Sequence, residues 1–144
     1  GYYRMKRSPA STLLHLGPGL ANGLANLHNA KKANSGIVNI VGEHAIDHIK
    51  LNAPLTSDIE GIARPVSHWV KTSISSRDVA KDGAEAIAVS MKGPGQIATL
   101  ILPGDTAWNE GGRVVNVNTL PTLNNVSTQK IEICLPCPTP KEQI

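Results

Sequence analysis

The residues best placed to do chemistry cluster around one short stretch, Thr12-Leu13-Leu14-His15-Leu16-Gly17-Pro18-Gly19. An apolar run, a glycine-proline-glycine turn and then a helical pattern put free backbone N–H groups and a helix dipole at the carboxyl end of a strand. That is where open α/β sheets gather their ligands. His15 interrupts the apolar run one residue before the glycine turn. It is either a buried, hydrogen-bonded core histidine or a ring facing a ligand, where a pKa near neutrality suits proton transfer. Glu43 closes the next apolar run, roughly where a ribose-binding carboxylate of a dinucleotide site would lie. The spacing Gly17-x-Gly19-x-x-x-Gly23 departs from the dinucleotide fingerprint, and no Gly-Lys-Ser/Thr of a P-loop follows. His44 and His48 have the i, i+4 spacing of a helical metal pair, but no glutamate stands between them, and Gly42 with Asp47 suits a loop as well. Cys134-Leu-Pro-Cys137 has no second ligand pair for zinc, and the prolines 136, 138 and 140 forbid the helix a redox pair needs, so these read as incidental thiols.

The elements that must hold these residues alternate as in parallel α/β folds. The pattern predicts a buried strand over 12–16 and a helix from Pro18, as its first residue, to Lys32. A second strand covers 37–41. A short helix over 55–63 is capped by Thr56 or Ser57, with Glu60 completing a capping box. A strand follows over 66–72. Ser76 then opens a helix through Met91 that buries Ala80, Ala84, Ile87, Ala88 and Met91, and a last strand spans 97–102. In the first long helix Leu20, Leu24 and Leu27 share the face that lies on the sheet. Asn22, Asn26 and Asn29 form a stripe nearly opposite, either solvated or meeting a ligand or a second subunit. After Glu110 the sequence turns rich in Asn, Thr and Pro, and 111–144 reads as a linker or the start of a further domain.

Composition bounds the partners. The chain has 144 residues, 40% of them hydrophobic and 17% charged, which favours one compact domain over a disordered chain. No apolar run reaches the roughly 18 residues of a membrane span. A net charge of +3, scattered cations, no Phe and only two Tyr and two Trp argue against a nucleic-acid binder.

Several segments, in order, resemble a known family. Leu14-His15-Leu16-Gly17-Pro18-Gly19-Leu20-Ala21-Asn22-Gly23-Leu24-Ala25-Asn26-Leu27-His28-Asn29-Ala30 is similar to the pyrimidine-binding domain at the N-terminus of thiamine-diphosphate enzymes, of the acetolactate-synthase-like large-subunit kind. Val38–Ala45, Ala53–Gly61, Arg64–Val70 and Thr99–Pro103 continue the likeness, which covers residues 1–110. The resemblance implies a three-layer α/β domain with a parallel sheet, lacking its N-terminal part. It implies thiamine diphosphate as cofactor and a 2-keto acid as substrate, with decarboxylation followed by transfer to an acceptor. It places Gly17, Pro18, Gly19 and Asn22 beside the aminopyrimidine ring, His15 where some relatives carry an active-site histidine, and Glu43 where acetolactate synthases usually carry a glutamine. A carboxylate there cannot donate a hydrogen bond as an amide does. The family's activating glutamate would precede Gly1, and its Mg²⁺-binding Gly-Asp-Gly would lie in a later domain, for which Gly104-Asp105-Thr106 is no substitute. This chain alone would then be inert. A cytoplasmic homodimer or homotetramer of the full-length subunit, with FAD as a further possible cofactor, completes what the likeness implies. The rival readings from other classes are a self-association domain using the asparagine stripe and a nucleotide-binding oxidoreductase.

Overall fold

Alternation of burial marks the first strand, β1 (Ala10–His15), where half-buried and exposed residues follow one another down the chain. The computed structural model describes residues 1–115, and from residue 116 onward the expected linker and both cysteines lie outside the described residues. Before β1 comes a single helical turn, α1 (Tyr2–Lys6). After it come α2 (Leu16–Lys32), β2 (Ile37–Glu43), α3 (Ile46–Ile49) and α4 (Ile59–Ala63). A 3₁₀ turn over Arg64–Val66 then leads to β3 (Trp69–Thr72), α5 (Val79–Ser90), β4 (Ile97–Pro103) and α6 (Asp105–Trp108). The four strands form one parallel sheet in the order β1-β2-β4-β3, with Leu13 beside Ile40 and Ile40 beside Leu100. This is the α/β fold with a parallel sheet that the alternating pattern predicts.

Helices cover both faces and give three layers. On one side Leu20 and Leu27 of α2 and Ile59 and Ala63 of α4 pack on Val41 and Ile101. On the other, Ala86 and Val89 of α5 pack on Val38 and Ala98. The leucine face of α2 lies inward as its spacing requires, while Asn22, Asn26 and Asn29 face solvent.

Four local expectations are corrected. β1 starts at Ala10 and is a half-exposed edge strand rather than a buried one, because only β2 pairs with it and Leu13 is 80% exposed. Pro18 is the third residue of α2, not the first, which costs no hydrogen bond because N–H groups of the first turn lack intrahelical partners. The cap of α4 is Asp58, whose carboxylate accepts from the Gly61 N–H at 2.8 Å; an ionised side chain at the helix start outcompetes Thr56 and Ser57. Finally, α5 starts at Val79 and turns Asp82, Ala86, Val89 and Ser90 inward, leaving Ile87 and Met91 exposed. Asp82 sets that rotation by bonding to Lys71 and to Ser73 just past β3.

The amino edge of the sheet is closed by α1. The Tyr3 ring lies against Gly36 and Gly95, and Gly95 (φ +128°) has a backbone that side chains rarely adopt. Nearby, His68 bridges the sheet edge twice: its N–H donates to the Ile97 carbonyl at 2.8 Å, and its ring Nδ1 accepts the Ile97 N–H at 3.0 Å. Accepting requires an unprotonated Nδ1. Desolvation, and then the Lys31 ammonium, hold the His68 pKa below its usual 6.5. The unfolded chain therefore binds this proton more readily than the native state. Stability should be constant above about pH 6.5 for this group and fall as pH drops below it. Urea unfolding at pH 7.5 and 5.5, on the parent and on His68→Gln, checks it: the variant loses this part of the slope.

Candidate functional site

The carboxyl ends of the strands gather His15, Glu43, Thr72 and Pro103 at one edge of the sheet. Between β1 and α2 the chain turns abruptly. Leu16 has φ +55°, in the left-handed region that a leucine seldom occupies, and its side chain is almost fully buried. Packing of Leu16 holds this bend, and strained backbone of this kind is concentrated at functional sites. The helix that follows has no side-chain cap and no acidic residue in its first turn, so its own first turn leaves its positive end uncompensated.

A crevice of about 170 Å³ opens at this edge, lined by Glu43, Ile49, Ser57, Asp58, Ile59, Glu60, Thr72 and Ile101. Glu43 Oε1 accepts the N–H of His44 at 2.7 Å, which bends the carboxylate back over the end of β2. Glu60 accepts from Thr72 Oγ1 at 2.8 Å and from Arg64 Nη2 at 2.6 Å. Three carboxylates thus border the crevice, and the Arg64 guanidinium is bound to one of them, Glu60. The site is rich in acceptors and unfavourable to an anion. Two buried polar atoms beside it in sequence, His44 Nε2 and Thr56 Oγ1, have no hydrogen-bond partner among the described residues.

Of the residues singled out from the sequence, Glu43 lines the crevice and Gly17 touches its wall. A side chain at Gly17 would run into Ser57, whose hydroxyl donates to the Leu55 carbonyl at 3.1 Å. Gly17 is therefore required by the close approach of the 53–58 loop to the start of α2. Gly17→Ala should cost about 1–3 kcal/mol in denaturant unfolding and speed amide exchange over residues 55–58. Gly19 packs on the backbone of Leu14 and on the His15 Cβ. Pro18, Asn22 and His15 are exposed, and none of them lines the crevice. His44 ends outside a helix while His48 lies in α3, and among the described residues no group of three metal-ligating side chains assembles. Sequence reasoning missed Asp58, Glu60 and Thr72 as wall residues. Asp58 carried a readable signal, an aspartate two residues before Glu60 at a helix start. Thr72 carried none, since only the β3–α4 contact brings it to Glu60.

Comparison with known proteins gives the same picture. Residues 1–64 match the family described as thiamine pyrophosphate enzyme, N-terminal TPP binding domain. The chain is 54% identical over 111 residues to IlvX of Mycobacterium tuberculosis, a protein assigned as an acetolactate synthase large subunit. The match covers 77% of this chain and 21% of IlvX, so the chain spans about a fifth of that relative's length. In fold it is similar to an enzyme from Mycobacterium smegmatis assigned as thiamin diphosphate-dependent (TM-score 0.71, 23% identity, 81% of this chain and 24% of the other). It is similar as well to the thiamine diphosphate-dependent 4-hydroxybenzoylformate decarboxylase of Rhodococcus jostii RHA1 (TM-score 0.66, 21% identity, 72% and 20%). Neither the self-association nor the oxidoreductase reading is favoured by these likenesses. Among the described residues no helix is long and apolar enough to cross a membrane. Residues 1–64 thus match the N-terminal TPP binding domain of the thiamine pyrophosphate enzymes, and the sequence likeness to IlvX carries the resemblance over 111 residues of the chain.

Proposed function

We propose that residues 1–110 supply the aminopyrimidine half of a thiamine-diphosphate site in a 2-keto-acid decarboxylase or carboligase of the acetolactate-synthase-like kind. The observation that carries this reading is the crevice at the carboxyl edge. Its volume of about 170 Å³ is below the roughly 300–1,000 Å³ of a pocket that encloses a whole drug-sized ligand, so it has room for one ring and not for a cofactor. Its carboxylates Glu43, Asp58 and Glu60 suit a ring that carries an amino group and repel a diphosphate. The uncapped start of α2, with Gly17 and Gly19, offers backbone donors to the same ring's acceptor nitrogens. Asn22 and the exposed His15 are assigned, on the family likeness, to the cofactor side and the substrate side of that bend.

When bound, the cofactor supplies the electron sink for loss of carbon dioxide from the keto acid. In this reading the chain's own residues orient the ring and exclude water from one side of it. The diphosphate, its Mg²⁺ and any FAD are held by polypeptide beyond these 144 residues, in a second copy of the full-length subunit or in a later domain. Residues 111–144 then serve as the link to that domain, and the whole enzyme works as a cytoplasmic homo-oligomeric lyase or transferase. Titration calorimetry tests the split. The 144-residue chain should take up no thiamine diphosphate with Mg²⁺, whereas a protein of the relatives' length that contains these residues should bind it and release carbon dioxide from a 2-keto acid. Tight binding by the chain alone, or none by the longer protein, contradicts the proposal.

A further inference from the structure

Gly104-Asp105-Thr106 lacks the pattern of a metal-binding motif, yet it forms the turn after β4 and reaches the chain beside Glu43. The turn is braced from within. Thr106 Oγ1 donates to the Pro103 carbonyl at 2.6 Å, and the Ala107 and Trp108 N–H groups both donate to the Gly104 carbonyl. The Trp108 ring lies over Gly104, 3.2–3.5 Å from where a Cβ would stand. From this turn two hydrogen bonds cross to neighbouring elements. The Gly104 N–H donates to the Glu43 carbonyl at 3.1 Å, carrying the β2–β4 ladder one step past Pro103. Asp105 Oδ2 accepts the Ile46 N–H at 3.0 Å. That second bond supplies what α3 lacks. The N-cap of α3 is Ala45, which has no side-chain acceptor, and a helix of four residues is too short to hold its own start. Asp105 therefore caps α3 from 59 residues away in sequence.

The two bonds fall on either side of His44 and Ala45, and the His44 N–H is the group that holds Glu43 Oε1 at 2.7 Å. Glu43 and Ile49, the last residue of α3, line the crevice, whereas Asp105 does not. We infer that Asp105 is a positioning residue for the site: by capping α3 it fixes the His44 N–H, and through it the direction of the Glu43 carboxylate. The inference rests on the reading of Glu43 as a ligand of the aminopyrimidine ring. Asp105 acts on that ring only through residues 43–49. Without the cap, residues 44 and 45 are tied at the Glu43 carbonyl alone, and the carboxylate follows the freed N–H. Side chains that meet a ligand hold their geometry only when a second row of hydrogen bonds holds them, and here that row begins at Asp105.

Native-state amide exchange on the 144-residue chain, with no cofactor added, tests the positioning. Asp105→Ala removes the acceptor and should speed exchange at Ile46 and at His44 by about tenfold or more. Amides of β4 from Ala98 to Ile101 should stay within about twofold of the parent. Asp105→Asn keeps a carbonyl acceptor and should return both rates to within about threefold of the parent. Acceleration spread evenly over the strands, or confined to Ile46, overturns the inference. Calorimetry on a protein of the relatives' length that contains these residues ties the positioning to the ring. There Asp105→Ala should weaken thiamine diphosphate, added with Mg²⁺, by about tenfold, and Asp105→Asn by less than about threefold. Because Asp105 acts through Glu43, adding Asp105→Ala to Glu43→Ala should cost less than about threefold more. Losses that multiply in the double variant overturn the inference. A Glu43→Ala protein that binds like the parent contradicts the function proposed above, and the inference falls with it. The exchange rates, read without cofactor, tell that failure from a failure of Asp105 to hold His44.

Discussion

Replacing Lys71 with methionine will destabilise the protein by about 2–4 kcal/mol, more than any exposed ion pair accounts for. The reason lies in the partner that stays behind. Asp82, near the start of α5, is almost entirely buried, and its carboxylate receives Lys71 Nζ at 2.7 Å and Ser73 Oγ at 2.7 Å. Lys71 also reaches Glu85 at 3.1 Å, and Glu85 in turn accepts from the Trp69 indole at 3.3 Å. Methionine keeps the alkyl stem of the lysine and removes the charge, so the loss measures the stranded carboxylate rather than packing. Lys71→Met with Asp82→Asn should recover part of the loss, because the buried group is then neutral. The hydrogen bond that Lys71 donates to Asp82, together with the one it donates to Glu85, raises the Lys71 pKa above 10.5 despite partial burial. With the folded pKa above the unfolded one, this contribution is complete below about pH 10.5 and lost as pH climbs through the raised value. Denaturant unfolding of the three proteins at pH 7.5 and in a series that climbs well above about pH 10.5 checks both statements.

That network also shows where sequence reading stops. Apolar content identified β2 and β4, which are buried on both faces, and heptad-like leucine spacing identified the inner face of α2, because in each case one element's own pattern decides the outcome. The α5 face was misread for the opposite reason. Ile87 and Met91 are the larger apolar residues, and a pattern of hydrophobicity alone turns them inward. The helix instead obeys Asp82, whose partners Lys71 and Ser73 come from another part of the chain. The site divides in the same way. Gly17, the bend and the likeness of the segments that surround it were legible, since backbone demands of a strand-to-helix turn fall on consecutive residues. The crevice wall was not, because Glu60 and Thr72 meet only once α4 crosses to β3. Glu43 was legible as the end of a strand, but its bond to the His44 N–H is a matter of local backbone direction.

Asn39→Leu should prove nearly as costly, about 2–4 kcal/mol, although a leucine is the residue that hydrophobic patterning would choose for the centre of β2. Asn39 is fully buried and sits in register between Thr12 on β1 and Thr99 on β4. Its Oδ1 accepts from Thr12 Oγ1 at 2.8 Å, and its Nδ2 donates to Thr99 Oγ1 at 3.1 Å. Thr99 Oγ1 is also 2.7 Å from Ser67 Oγ, just before β3, so one row of polar groups crosses three strands and ends at the approach to the fourth. A slip of one residue in any strand would turn its member of the row toward the opposite face, among Val38, Ala86 and Ala98, and leave the others unpaired. The row thus fixes register in a sheet whose apolar residues would tolerate several alignments. The single substitution strands the Thr12 hydroxyl, whereas Thr12→Val with Asn39→Leu leaves no hydroxyl of the row without a partner, because Thr99 and Ser67 keep each other. If the row acts through satisfied hydrogen bonds, the double variant will be more stable than Asn39→Leu alone. Its amide exchange in β1 will nonetheless be faster than the parent's, because stability without the polar row no longer selects one register.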